Sequence, residues 1–341
     1  MKYLIFGGTG SLGKKLISRL AKKDAKIGIY SRDEAKHWTI KNEYSEISSL
    51  MSFFVGDIRD HARVKEVILQ YKPETIIIAA ALKQVDTCEL SPNESINTNL
   101  LGTQNVIKAV NESECFWTPD WHIKNVLFVS TDKACSPVNV YGMCKSISER
   151  LITSQSKIEN KKTKFVCTRY GNVLESRGSI IPLLKHQAEN SEFLTVTDPD
   201  MTRFVMTLDE SVDLIFNALE KGSSGETWIP ILPSMRIGDL AEIFSEKHSK
   251  PIKIIGVRPG EKAHEDLINE SESIRTSVLN GHYVIGPAYQ AGNGNVFTYT
   301  SADDVMNKEQ LLHHLQKLGI IDMPIEKFEG LKIEEILTKR N

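Results

Sequence analysis

Tyr141 and Lys145 are the pair in this chain best suited to moving a proton and a hydride together. On a helix, a spacing of four sets both side chains on one face. An ammonium beside a phenol draws its pKa down from about 10 toward working pH. A phenolate so formed takes the proton of an alcohol while hydride leaves for a nicotinamide, and the same ammonium can hold the nicotinamide ribose. Tyr-x-x-x-Lys recurs in unrelated helices, so its weight comes from what precedes it. Here that is Phe128-Val129-Ser130-Thr131-Asp132-Lys133, an apolar strand running into hydroxyls and a charged pair.

A second pattern supplies the cofactor half of this chemistry. The apolar run Lys2 to Phe6 enters Gly7-Gly8-Thr9-Gly10-Ser11-Leu12-Gly13 and then a helical pattern. Two frames fit, one through Gly7, Gly10 and Gly13, the other through Gly8, Gly10 and Gly13. Their physics is common: a tight turn, close approach of backbone to a pyrophosphate, and free N–H groups at a helix start. The ribose 2′ position is read at the end of the second strand, where Ser31 and Arg32 stand, with Lys36 nearby. These suit a 2′-phosphate, so NADP is expected over NAD. Asp33 and Glu34 are expected to start the next helix instead. Asp57 and Ile58, after the third strand, fall where adenine contacts lie.

Such residues need a scaffold. Lys2–Phe6, Lys26–Tyr30, Ser52–Val55, Thr75–Ala79, Asn125–Ser130 and Lys164–Arg169 read as strands. Leu12, Leu16, Ile17, Leu20 and Ala21 recur at the spacing of one helix face. Alternation at this pace means crossover units on a parallel sheet whose strands, covered on both faces, are apolar throughout. The expected fold is α/β, a Rossmann-type doubly wound parallel sheet with a smaller, irregular α+β C-terminal lobe. Residues 1–171 are expected to form the dinucleotide domain with 205–232 returning to it, and 172–204 with 233–341 the lobe. Further helices are expected at Leu208–Glu220, Ile237–His248 and Gln310–Leu318, and a turn-rich stretch at 175–179. After Gly281 the chain is polar and poorly patterned until its last helix.

Composition excludes several classes. Lys and Arg number 42 against 44 Asp and Glu, a net charge of −2 that argues against a nucleic-acid partner. The longest unbroken apolar stretch, Ile76 to Leu82, falls far short of the roughly 20 residues of a membrane span. No signal-peptide pattern precedes the glycines, so a soluble cytoplasmic protein is expected. The five cysteines, Cys88, Cys115, Cys135, Cys144 and Cys167, form no C-x-x-C pair and are expected as free thiols in a reducing compartment. Cys115 and Cys167 are expected in the core. His313-His314 has no metal-ligand spacing, and no metal is expected.

The glycine turn and Tyr141/Lys145 resemble the extended short-chain dehydrogenase/reductase superfamily, most of whose members remodel nucleotide sugars. Further matches are Ala79 to Val85, Asn97 to Thr103, Arg169 to Leu174, Asp198 to Phe204 and Arg258 to Lys262. Within the superfamily, Asp132-Lys133 is similar to the configuration-inverting UDP-N-acetylglucosamine 4,6-dehydratases, whereas retaining dehydratases carry Asp-Glu there. The resemblance implies that Tyr141 takes the 4-hydroxyl proton of the sugar while NADP, recycled in each turnover, holds the hydride. It implies Lys133 as a neutral base at carbon 5, its pKa depressed by burial beside other cations. Asp132 is the implied acid for the departing 6-hydroxyl, with a raised pKa. Thr131 and Asn99 order the site.

Cofactor contacts are implied at Ala80, Ala81, Lys83 and Asn99. Lys83, Asn172, Ser179, Arg203 and Arg258 are implied around the UDP-sugar, with Glu261 accepting from its ribose. A homo-oligomer, dimer or hexamer, is implied as well. A UDP-sugar 4-epimerase of the same superfamily is the nearest rival, but it needs no acid and base at Asp132-Lys133. A non-catalytic NADP-binding scaffold would lack Tyr141 or Lys145.

Overall fold

The alternation of apolar and amphipathic runs resolves into β1 (Lys2–Phe6), α1 (Ser11–Ala21), β2 (Lys26–Ser31), α2 (Glu34–Glu43), β3 (Met51–Val55), α3 (His61–Tyr71) and β4 (Thr75–Ile78). Two short helices, α4 (Val85–Leu90) and α5 (Pro92–Ser95), lead to α6 (Gly102–Ser113), β5 (Asn125–Val129), α7 (Val140–Thr153) and β6 (Lys164–Thr168). The six expected strands are present, each within one residue of its expected ends. Asp33 caps α2 by accepting from the Lys36 N–H at 3.1 Å, as its position suggested. This computed structural model describes residues 1–174, 176 and 179–324. Positions 175, 177 and 178 of the expected turn, and 325–341 of the expected lobe, lie outside the described residues.

Downstream come α8 (Ile180–Asn190), β7 (Leu194–Val196), β8 (Thr202–Phe204), α9 (Leu208–Lys221), β9 (Thr227–Pro230) and β10 (Ser234–Arg236). They are followed by α10 (Ile237–His248), β11 (Ile252–Ile254), β12 (Asp266–Ile268), α11 (Glu270–Ser273), β13 (Thr276–Leu279), β14 (His282–Ile285), β15 (Tyr299–Thr300) and α12 (Lys308–Lys317). The main sheet has the order β13-β14-β9-β6-β5-β4-β1-β2-β3. From β3 to β9 all neighbours are parallel, so the doubly wound topology is met, with its switch point between β1 and β4.

Apolar side chains cover both faces. Leu16, Ile17 and Leu20 of α1 pack with Ile215 and Ala218 of α9 on one side. Val64, Val67 and Ile68 of α3 pack with Val106 and Val110 of α6 on the other. Each fully buried aliphatic side chain contributes about 1.5–3 kcal/mol, which holds the strand ends where the site is built. A third cluster, including Ile181, Leu184, Leu240, Phe244, Leu311 and Leu315, forms the core of the smaller part.

Two expectations are corrected here. The lobe was expected to take all of 233–341, yet β13 and β14 extend the main sheet, β14 pairing antiparallel with β9. Their loop is Asn280-Gly281 with φ of 50° and 73°, the two left-handed residues of a tight hairpin turn. That dipeptide was the legible signal for the hairpin. Cys115 is exposed rather than buried, because it lies just past the end of α6, where its face turns to solvent. The other four cysteines are buried, and all five are free thiols. Among the described residues no helix is long and apolar enough to cross a membrane.

Candidate active site

The glycine turn joins β1 to α1 at the switch point. Gly7 has φ +82°, and a Cβ there would lie 2.7 Å from the Ala80 backbone at the end of β4. A side chain at Gly7 would therefore be both strained and in collision. Gly13 packs directly on Gly8, where a Cβ would meet backbone at 2.3 Å. Gly10 caps α1 without a side-chain bond among the described residues, so N–H groups of the first turn remain for an anion. This cradle fits the pyrophosphate of a dinucleotide, flanked by Thr9, Ser11, Leu12, Ala80 and Ala81.

At the ribose end, Arg32 is half exposed and its guanidinium lies 3.7 Å from Asp57. Ser31 bonds the His37 ring at 2.9 Å, and Lys36 pairs with Asp33 at 3.2 Å. The Asp57 pKa is lowered from its ordinary value: burial opposes this, but bonds to Arg59 and the charge of Arg32 prevail. Ile58, the next residue, is buried in the core. Asn99 sits on a π-helical turn (Ile96–Leu101) and clamps the loop after β4 by accepting from Leu82 N–H at 2.8 Å and donating to its carbonyl at 2.9 Å. Lys83, the next residue, is exposed. Asn99 is thus an organising residue, and wide helical turns of this kind recur at functional positions.

The candidate reacting groups gather beyond the end of β5. Thr131 ends in an extended conformation and the chain turns at Asp132–Ala134. Asp132 is buried, and its Oδ1 accepts from the Thr131 hydroxyl at 2.8 Å, the Lys133 N–H at 2.8 Å and Lys133 Nζ at 3.1 Å. Helix α7 lies tightly against this turn because Gly142 has no Cβ: one there would come within 2.1 Å of the Lys133 carbonyl. Asn139 starts α7, accepting from Gly142 N–H at 2.7 Å and donating to the Gly260 carbonyl at 2.8 Å. That bond docks the Arg258–Lys262 turn onto the helix bearing Tyr141 and Lys145.

Both side chains of that pair are buried, but their electrostatics differ from expectation. Burial pushes the Tyr141 phenol up to about 12, with Lys133 as the chief opposing cation and the Thr131 hydroxyl assisting it. Lys145 instead donates to the Val129 carbonyl at 2.6 Å and lies 4.1 Å from the Phe128 ring centroid. Burial lowers it to about 8, with Glu149 opposing. The second correction concerns Lys133. Burial pulls its ammonium down, but Asp132 and Glu265 outweigh that, and the net direction is upward. Lys133 was expected beside cations and neutral; its closest charged neighbours are two carboxylates, which hold it charged.

Glu265 was missed in the sequence. It lies three residues beyond the Arg258–Lys262 motif, is 2% exposed, and its Oε1 is 3.0 Å from Lys133 Nζ. Of the expected UDP-sugar contacts, Arg203 is buried with its guanidinium on the carbonyls of Lys262, Ala263 and Thr202, and 3.8 Å from Glu265. Arg258 is exposed and pairs with Glu261 at 2.8 Å. Ser179 caps α8 and donates to the Leu174 carbonyl at 2.8 Å. Among the described residues, Ser130 Oγ, Asp132 Oδ2, Asn172 Oδ1 and Glu265 Oε2 are buried without a hydrogen-bond partner. Such atoms are costly in a folded protein unless a ligand completes them.

A doubly wound sheet with a glycine turn at the switch point and Tyr-x-x-x-Lys beyond strand five defines an extended short-chain dehydrogenase/reductase. The chain belongs to the polysaccharide biosynthesis protein family, whose profile matches residues 3–287. It is 41% identical over 289 residues to a UDP-N-acetylglucosamine 4,6-dehydratase (inverting) of Campylobacter jejuni, covering 84% of this chain and 82% of that one. A UDP-glucose 4-epimerase of Rickettsia prowazekii is 38% identical, with 83% and 82% covered. An uncharacterized membrane protein of Methanocaldococcus jannaschii is 39% identical, with 93% and 96% covered. The crystal structure of Pen from Bacillus thuringiensis superposes with a TM-score of 0.86 at 34% identity, covering 94% of this chain and 98% of that one.

Proposed function

We propose that the protein removes water across carbons 4 to 6 of UDP-N-acetylglucosamine and inverts carbon 5, giving UDP-2-acetamido-2,6-dideoxy-β-L-arabino-hexos-4-ulose. The observation that carries this is the Asp132–Lys133 turn held against Tyr141: one acid, one amine and one phenol within a single desolvated corner. NADP, held by the Gly7–Gly13 turn, Ser31 and Arg32, would supply a hydride store for the transfer from carbon 4 to carbon 6. Tyr141 accepts the 4-hydroxyl proton as carbon 4 becomes a ketone. The ketone acidifies the carbon-5 hydrogen, which Lys133 removes once its amine is neutral. Asp132, once protonated at its buried and unpartnered Oδ2, gives that proton to the 6-hydroxyl, which leaves as water. Reprotonation of carbon 5 on the opposite face produces the L configuration.

Lys83, Asn172, Ser179 and Arg258 are the groups assigned to the UDP-sugar, with Glu261 at the ribose; Arg203 acts from beneath, by holding the Lys262–Ala263 backbone. Lys145 is assigned to the nicotinamide ribose. Ser31 and Arg32 favour NADP, and Arg32→Ala is expected to weaken NADP about tenfold, leaving NAD nearly unchanged. Equilibrium titration of the two nucleotides checks this; equal losses would assign Arg32 to neither. We infer a cytoplasmic homo-oligomer, dimer or hexamer. Four buried free thiols support a reducing compartment, and the half-exposed Met143 and Ile147, one turn apart on α7, support helix pairing between copies.

Incubation with UDP-N-acetylglucosamine in heavy water, read by mass spectrometry and NMR, tests the reading. The expected product lacks one water, carries deuterium at carbon 5 and has the L configuration. The same loss with the D configuration would remove the inversion. Exchange between gluco and galacto forms without water loss would favour the epimerase reading, which the relatives of that name also support.

A further inference from the structure

A lysine held as an ammonium cannot accept the carbon-5 proton, so the groups that hold it charged govern that step. Four charged or titratable groups face Lys133 from four directions: Asp132 on its own turn, Glu265 ahead of β12, Arg203 on β8 and Tyr141 on α7. Asp132 and Tyr141 already have work in the reaction, and Arg203 is bound to backbone carbonyls. The Glu265 side chain is directed at the lysine: Oε1 lies 3.0 Å from Nζ, while its backbone N–H and carbonyl are both anchored by Ser301. It is 2% exposed, in a segment fixed across from the active-site turn.

We propose that Glu265 is a positioning residue for the carbon-5 step, pinning Lys133 Nζ over the turn and keeping it protonated until the site is engaged. This rests on the function proposed above. Lys133 retains 22% of its side-chain exposure, enough to release its proton to water before it takes the one from carbon 5. A neighbouring carboxylate stabilises the ammonium, so removing its charge makes the neutral amine available at lower pH.

The test is the pH profile of deuterium exchange at carbon 5 of the 4-keto product, which bypasses alcohol oxidation and the Tyr141 proton, alongside the profile of water loss from substrate. In Glu265→Gln, whose side chain keeps its shape, the acid limb of exchange is expected to move down by about one pH unit or more. Glu265→Asp, which withdraws the carboxylate by one methylene, is expected to move it less, in the same direction, and decides the matter if the glutamine variant is unfolded. A folded variant whose rate falls while the limb stays in place would overturn the assignment, since a merely structural role lowers the rate without moving the profile. A wild-type protein that neither loses water from substrate nor exchanges carbon 5 would overturn the proposed function itself. Wild-type exchange with unmoved variants would overturn only the role of Glu265.

Discussion

Tyr141→Phe is expected to lower kcat by about a thousandfold, within the range general-base removal produces. In the proposed reaction the phenol takes the 4-hydroxyl proton, and that transfer precedes every later step. Its ring is 8% exposed and packs at the start of α7, whose cap at Asn139 and close contact at Gly142 do not involve the hydroxyl. The Thr131 hydroxyl keeps its bond to Asp132, so the turn survives. The melting temperature should therefore change little while kcat collapses and KM stays near its original value. Because burial pushes this phenol up to about 12 even with the Lys133 charge opposing, alcohol oxidation should slow as pH falls toward neutral. Lys133 is the chief opposing cation, so Lys133→Met should also deepen the pH dependence of alcohol oxidation. Steady-state kinetics from pH 6 to 10 check both; a variant retaining a tenth of the rate would remove Tyr141 as the base.

The second large effect is on stability. Arg169, 3% exposed just beyond β6, forks onto two carboxylates: Glu149 of α7 at 3.0 and 2.6 Å, and Glu272 of α11 at 2.8 and 2.8 Å. A further bond at 2.8 Å reaches the Leu267 carbonyl of β12. One guanidinium thus ties α7 to the segment that carries Glu265. Arg169→Met leaves two buried carboxylates without their cation and is expected to destabilise the fold by about 3–5 kcal/mol. Urea unfolding at pH 7 measures it, and a loss below about 1 kcal/mol would show the cluster to be dispensable.

The sign with pH follows from Glu272. Burial raises its pKa, but Arg169 prevails and it lies at about 2, below its ordinary value of 4.5. A depressed carboxylate contributes stability that is fully present above the unfolded value and is lost as pH falls through the folded one. The wild type should therefore lose this contribution between about pH 4.5 and 2, and the deficit of Arg169→Met should shrink over the same window.

Much of this molecule was legible in the chain because its information is local. Strand ends, the α2 cap at Asp33 and the left-handed requirement at Gly7 depend on neighbours within a few residues. The Asn280-Gly281 turn signal is local too, although no hairpin was expected there, and its docking on β9 was not legible: pairing across about 50 residues leaves no local periodicity. The burial of Arg203 on carbonyls of the 262–263 backbone is likewise a meeting of distant segments.

By itself, then, the sequence determined the doubly wound sheet, the glycine turn, the candidate acid, amine and phenol, and the family to which they point. Short-range sterics and helix or strand periods decide such things, and these are written in consecutive residues. Only the tertiary structure decided charge. Whether Lys133 is neutral or an ammonium, and whether Tyr141 is drawn down or pushed up, depends on which carboxylates arrive from elsewhere. Glu265 stands 132 positions beyond Lys133 and Glu272 stands 103 beyond Arg169. Electrostatic energy is set by distance and burial in space, and no spacing along the chain encodes either.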